Sequence, residues 1–232
     1  MIGIIGAMEE EIAELRGRMT DVSEECAAGM TFYRGRLLGK DAVVVVSGIG
    51  KVNAAVCAEL LAERFHADCI INTGIAGALA PEVKIGDIVL STDAVQYDMD
   101  ARGFGYALGQ IPRMDVLAFP ADEGLIGAAE KAAREVLPDV GLFRGRVASG
   151  DRFVSDGALK DKIVRDFGAY CCEMEGAAIL QASYLNGIPC LIIRVMSDQA
   201  DGSAPAQYDS FQEEAIRRLS ALTAAMVSGT DL

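Results

Sequence analysis

Cys190 to Val195 (CLIIRV) is a nearly continuous apolar run of strand length, and it constrains the fold more than any other stretch. A strand apolar at successive positions is covered on both faces, as in sheets sandwiched between helices. The residues before it have the pattern of a packed helix, Gly176 to Asn186, with Gly187 as its stop and Pro189 just beyond. Glu173, Met174 and Glu175 stand where an earlier strand ends, and Met196-Ser197-Asp198 stand where CLIIRV ends. Acidic residues just past the C-terminal ends of two strands lie where an open α/β sheet keeps its ligand crevice.

The same alternation runs through the chain. Ile2 to Ile5 is a short buried strand, followed by a Gly6-Ala7-Met8 turn and a helix from Glu9 to about Arg18. Thr31 to Leu38 and Asp41 to Val46 read as a hairpin about Gly39-Lys40. Ser47-Gly48-Ile49-Gly50 leads into a helix from Lys51 to Phe65. Asp68 to Asn72 is a strand that the pattern ends in a second glycine turn, Thr73 to Gly77. Ile85 to Leu90 and Ala94 to Tyr97 read as two strands joined by Ser91-Thr92-Asp93. Asp98 to Pro120 has no period and reads as a long functional or interface loop. Asp122 caps a helix to about Val136, Gly141 to Ala148 is a strand, Asp156 caps a helix to Phe167, and Gln207 to about Val227 is a closing helix. With no linker or internal repeat, residues 1–232 are expected to form a single α/β domain.

Composition narrows the function. The formal net charge of −13 argues against nucleic acid and against an anionic membrane surface as partners. No apolar segment reaches the roughly 20 residues of a membrane span, and the start, MIGIIGAMEEE, is too short and too quickly acidic for a signal peptide, so a cytoplasmic location is expected. The six cysteines show no zinc spacing and read as reduced, buried thiols. The glycine turns match neither the dinucleotide nor the P-loop signature, and no cofactor is expected. With His66 the only histidine, acid–base chemistry falls to carboxylates.

Glu11, Glu175 and Asp198 each follow a different strand, so one crevice can receive all three. Carboxylates clustered away from water raise one another's pKa, and one then holds a proton while others stay ionised. Glycosidic bond cleavage needs that division between an acid for the leaving group and a base for water. Ordinary helix electrostatics and solvated caps are the competing reading, above all for Glu9 and Glu10.

In order, GIIGAMEEE, SGIGKVNAA, INTGIAGAL, SGDRFV, CEMEGAA and RVMSDQAD resemble the 5′-methylthioadenosine/S-adenosylhomocysteine nucleosidases, of the nucleoside phosphorylase/hydrolase superfamily. The likeness spans nearly the whole chain. It implies a three-layer α/β/α fold with a central mixed sheet, a homodimer, and hydrolysis of an N-glycosidic bond to release adenine from a small nucleoside. By that resemblance Asp198 is the acid for adenine N7, Glu11 the base for water, and Glu175 the anchor of the ribose hydroxyls. Arg194 and Ser197 match positions that orient the water and the acid. For Glu173, a structural pairing with a nearby arginine stands beside substrate contact. Phe153 and the Val154 backbone resemble the adenine-reading segment, and Met174 packs under the ribose. Met8, Ile49 and Tyr208 match the apolar alkylthio pocket, and Ala101, Phe104 and Pro112 the part supplied by the neighbouring subunit. The chain departs from the family pattern at Ile75, where Ser is frequent, at Tyr97-Asp98-Met99-Asp100, which lacks a histidine, and at Tyr208, where Phe is common. These departures touch substrate preference more than reaction type.

Three rival readings share the motifs: a nucleoside phosphorylase, a futalosine-type hydrolase, and a non-catalytic nucleoside sensor. Met8 followed by Glu9-Glu10-Glu11 stands where related phosphorylases carry a phosphate-binding arginine, and would repel a dianion. A sensor would have no use for a base at Glu11.

Overall fold

The computed structural model describes residues 1–229. Its strands are β1 (Ile2–Gly6), β2 (Met19–Ala27), β3 (Met30–Leu37), β4 (Lys40–Val46), β5 (Cys69–Ala78), β6 (Ile88–Gln96), β7 (Phe119–Pro120), β8 (Leu142–Ser149), β9 (Cys171–Glu173) and β10 (Cys190–Asp198). The helices are α1 (Glu9–Gly17), α2 (Lys51–Glu63), α3 (Glu123–Val136), α4 (Gly157–Phe167), α5 (Gly176–Asn186) and α6 (Ala204–Gly229). The loop after β6 carries one short 3₁₀ turn, Arg102–Phe104. Among the described residues no helix is long and apolar enough to cross a membrane.

All strands join one mixed sheet in the order β10-β6-β8-β9-β5-β1-β4-β3-β2, with β7 beside β6. Strand β5 also pairs with β10, so β5, β10, β6, β8 and β9 close into a ring and the remaining strands extend from β5. The expected open sheet is therefore half closed. Strand β5 lies at the junction, parallel to β1 and to β10 and antiparallel to β9. All ten of its residues are buried, as are all nine of β10. Each face of the sheet has its own apolar layer. Ile5, Phe32, Val43 and Ile70 pack with Leu61 of α2 and Ile179 of α5, whereas Ile4, Val44 and Ile71 pack with Ile12 of α1 and Leu219 and Leu222 of α6.

Three sequence expectations change. The segment Thr73 to Gly77 is not a turn but the continuation of β5. Residues 91–93 do not separate two strands; β6 runs through them with a register shift between Ser91 and Ala94 against β8. Strand β2, absent from the sequence reading, pairs with β3 at the sheet's edge, where its largely exposed MTDVSEECA carries no apolar alternation. Cys26 on that strand is exposed, while the other five cysteines are buried. The two aspartate caps stand as expected: Asp122 accepts from the Leu125 N–H at 2.9 Å and Asp156 from the Ala158 N–H at 3.0 Å. Asp122→Ala is expected to lower unfolding stability by about 1 kcal/mol, with turnover unchanged, as measured by urea denaturation beside an activity assay.

Candidate active site

The cleft sits where β1 and β4 stop and β5 continues. The pairing of β1 with β5 ends at Ile5–Asn72. Beyond it the Glu11 carboxylate takes the place of the missing strand. Its Oε1 accepts the Ile75 N–H at 3.0 Å, and its Oε2 accepts the N–H groups of Ala7 (2.7 Å) and Met8 (3.1 Å). On the other side of β5, Arg194 is in register with Gly74 and Asp198 with Gly77. The acids thus gather around four residues of one buried strand, Gly74 to Gly77.

The two glycines make that possible. A Cβ at Gly74 would lie 2.8 Å from Glu11 Oε1 and 3.1 Å from Arg194 Nη1. At Gly77 it would lie 2.8 Å from Asp198 Oδ1 and 2.9 Å from the Ala200 Cβ. Asp198 is held from below by the chain that follows it: its Oδ1 accepts the Ala200 N–H at 2.8 Å and its Oδ2 the Ser197 hydroxyl at 2.9 Å. Ala200 reaches this position with φ of 51°, in the left-handed region that side chains other than glycine enter at a cost.

Glu173 and Glu175 flank the start of α5. Glu173 Oε2 receives the Gly176 N–H at 2.7 Å, the Glu175 N–H at 3.1 Å and the Arg194 Nη2 at 2.5 Å, while its Oε1 bonds the Ser149 hydroxyl. The arginine pairing anticipated for Glu173 is therefore present, although Glu173 also faces the cleft. Arg194 is fully buried behind it, with Nη2 also on Asn72 Oδ1 at 2.6 Å. Glu175 Oε1 accepts the Gly50 N–H at 2.8 Å.

Burial dominates the titration of all three acids. It raises the Glu11 carboxyl above its ordinary value against the pull of Arg194 and the Ile75, Met8 and Ala7 amides. It raises Asp198 against the Ala200 amide and Ser197 hydroxyl. For Glu175, burial and then the neighbouring Glu173 charge push the pKa up to about 7, opposed by the Gly50 amide.

The main cleft has a volume of about 470 Å³. It brings together Met8, Glu11, Ile49, Ile75, Phe153, Glu173, Met174, Glu175, Ser197, Asp198 and Tyr208. Val154 lines an adjoining chamber of about 30 Å³ with Arg152 and Asp198. Phe153 and Tyr208 meet edge to face, ring centroids 6.2 Å apart, and the Tyr208 hydroxyl lies 3.4 Å from Met8 Sδ. Arg194 does not reach the cleft wall, and neither do Ala101, Phe104 and Pro112, the three assigned to a neighbouring subunit. The sequence reading missed Gly77, Cys172, Pro205 and Asp209 as lining residues and Asn72 and Ser149 as supports. INTGIAGAL and SGDRFV hold the signal for Gly77, Asn72 and Ser149, obscured in INTGIAGAL because closely spaced glycines have the local pattern of a turn.

Residues 1–228 match the family model described as the phosphorylase superfamily. A 5′-methylthioadenosine/S-adenosylhomocysteine nucleosidase of Anoxybacillus flavithermus is 43% identical over 228 residues, 98% of this chain and 97% of that protein. The crystal structure of the same-named nucleosidase from Neisseria meningitidis, in complex with methylthio-immucillin-A, superposes with a TM-score of 0.95 at 40% identity over 99% of both chains. A futalosine hydrolase mutant from Helicobacter pylori superposes with a TM-score of 0.93 at 32% identity, again over 99% of both chains. The chain belongs to the phosphorylase superfamily and, within it, to the 5′-methylthioadenosine/S-adenosylhomocysteine nucleosidase family.

Gly77→Ala is expected to lower kcat at least tenfold while the protein still melts cooperatively, because the added methyl displaces Asp198 against a rigid backbone. Glu175 gives a pH signature in stability. Between its unfolded value near 4.5 and its folded value of about 7, the native state keeps a proton that the unfolded chain has released, so stability falls as pH rises. Glu175→Gln removes that loss. Its stabilisation, on the order of 1–3 kcal/mol by chemical denaturation, is expected to be full above pH 7 and absent below pH 4.5.

Proposed function

We propose that the protein hydrolyses the N-glycosidic bond of 5′-methylthioadenosine and S-adenosylhomocysteine, with 5′-deoxyadenosine as a further substrate, releasing adenine and the ribose product. The observation that carries this reading is the charge of the cleft. Its described lining includes Glu11, Glu173, Glu175, Asp198 and Asp209 but neither Lys nor Arg. Such a wall favours a cationic sugar and disfavours a phosphate dianion, which supports water over phosphate as nucleophile.

Each acid has a task suited to its surroundings. Asp198, kept protonated longer than an exposed aspartate by its burial, gives a proton to adenine N7, because a neutral purine leaves far more readily than its anion. Glu11, fixed by three backbone amides, takes a proton from the attacking water. Glu175 accepts from the ribose hydroxyls and, ionised, stabilises the positive charge that develops as the bond breaks. Phe153, 45% exposed at the cleft mouth, is free to stack on the purine, while Met8, Ile49 and Tyr208 take the alkylthio end.

The chain acts as one domain and as a homodimer in the cytoplasm, in methionine salvage. Exposed Val52 and Val56, one turn apart on α2, together with exposed Tyr184 and Leu185 on α5 and Phe104 in the long loop, support pairing with a second copy. In that dimer Ala101, Phe104 and Pro112 complete the partner's alkylthio pocket.

An adenine-release assay over methylthioadenosine, S-adenosylhomocysteine, 5′-deoxyadenosine, inosine and futalosine tests the reading. Release from methylthioadenosine is expected in phosphate-free buffer. Asp198→Asn and Glu11→Gln are each expected to reduce kcat by about 10²–10⁴-fold. An absolute requirement for phosphate would sink the hydrolase reading, and binding without release would leave a sensor.

A further inference from the structure

A polar network outside the cleft ties together both ends of the Gly50–Glu175 hydrogen bond. Gly50 has φ of 97°, a region open to glycine, so its amide direction is not fixed by its own backbone preference. The next residue, Lys51, is held twice. Its N–H donates to Asp151 Oδ1 at 2.8 Å, and its ammonium donates to Asp98 Oδ1 at 2.6 Å and Gln96 Oε1 at 3.1 Å. Asp98 Oδ2 in turn accepts the Asp151 N–H at 3.1 Å, which closes a ring of three residues. The Gln96 amide continues to Gln181 Oε1 on α5 at 2.6 Å, and α5 begins immediately after Glu175. The donor is thus anchored through Lys51 and the acceptor through α5, with Gln96 between them.

We propose that Lys51 and Asp98 are positioning residues for the sugar-side carboxylate: their ion pair holds the start of α2 so that the Gly50 N–H stays on Glu175. An ion pair open to solvent contributes little by itself. With side chains 17% and 33% exposed, this one matters because both partners also engage backbone or amide groups that fix a loop. The inference rests on the reading above in one respect, that Glu175 acts as an anion. The hydrogen bond from Gly50 favours that form.

Removing each charge of the pair in turn separates positioning from a direct field effect. Glu175 is faced by Glu173 of β9, Arg194 of β10 and Glu11 of α1. Lys51→Met removes a positive charge from this region and Asp98→Asn removes a negative one. A field effect alone would raise the Glu175 pKa in the first variant and lower it in the second. Loss of the Gly50 hydrogen bond raises it in both. The acid limb of kcat/KM reports the carboxylates that must be ionised in the free enzyme. It is expected to move up by about half to one pH unit in each variant, and no further in the double variant than in the larger single. Lys51→Arg, which keeps the ion pair, is expected to restore the wild-type limb. Amide hydrogen exchange at Gly50, measured by NMR without substrate, is expected to quicken at least tenfold in both single variants. Opposite shifts, additive shifts or unchanged Gly50 exchange would overturn the proposal. Failure of the wild-type protein to release adenine would instead sink the hydrolase reading and leave the exchange result standing.

Discussion

The site depends on a stretch of buried strand that carries no side chain at two positions, one on each of its faces. Most strands use both rows of Cβ atoms to fill a core. Strand β5 gives up two of them, at Gly74 and Gly77, and carboxylate and guanidinium groups occupy the space against bare backbone. The closure of five strands into a ring at β5 then brings β9 and β10 alongside, so that Glu173, Arg194 and Asp198 arrive from different parts of the chain. Glu11 arrives from α1 and finishes the hydrogen bonding of β5 where β1 runs out. A rigid backbone grid, rather than long side chains reaching across solvent, sets where the acids stand.

That placement works against stability. Carboxylates buried this deeply lose hydration, and Arg194 is the cation that offsets it for Glu11, Glu173 and Glu175 together. Among the described residues its own Nε has no hydrogen-bond partner, and Ala200 holds a strained backbone while its amide reaches Asp198. Desolvated charge gathers in the segments that face the cleft, whereas the apolar layers on both sides of the sheet carry the fold. The short loop from Ser47 to Gly50 belongs to both systems. It seals the top of β4 through the Ser47 N–H on Gly6 O at 2.9 Å and presents one amide to Glu175.

What was legible in the sequence follows the same division. The apolar runs of β1, β4 and β10, the aspartate caps of α3 and α4, and the acids near the strand ends are local signals, although β10 runs three residues beyond the expected CLIIRV and takes in Asp198 as its last residue. Glu11, Glu175 and Asp198 stand out in the sequence alone, and the structure brings them to one cleft. Strand β2 was not legible because an edge strand exposed on both faces has no apolar period. Its bulge between Thr20 and Ser23 packs against Gly35, a contact only the folded pair contains. The TGIAG segment misled for the opposite reason. Glycine marks turns in a local reading, but here it marks close approach by groups from α1, from β10 and from the turn after β10, which only tertiary structure reveals.

An acid held half-protonated near neutrality also makes ligand binding a proton exchange with the solvent. A nucleoside analogue with positive charge in its sugar ring favours ionised Glu175, so its arrival expels the fraction of a proton that the empty cleft retains there. The heat of binding in a calorimeter will then contain the ionisation enthalpy of whichever buffer accepts that proton. For this cleft, affinity and enthalpy are joint properties of protein, ligand and buffer.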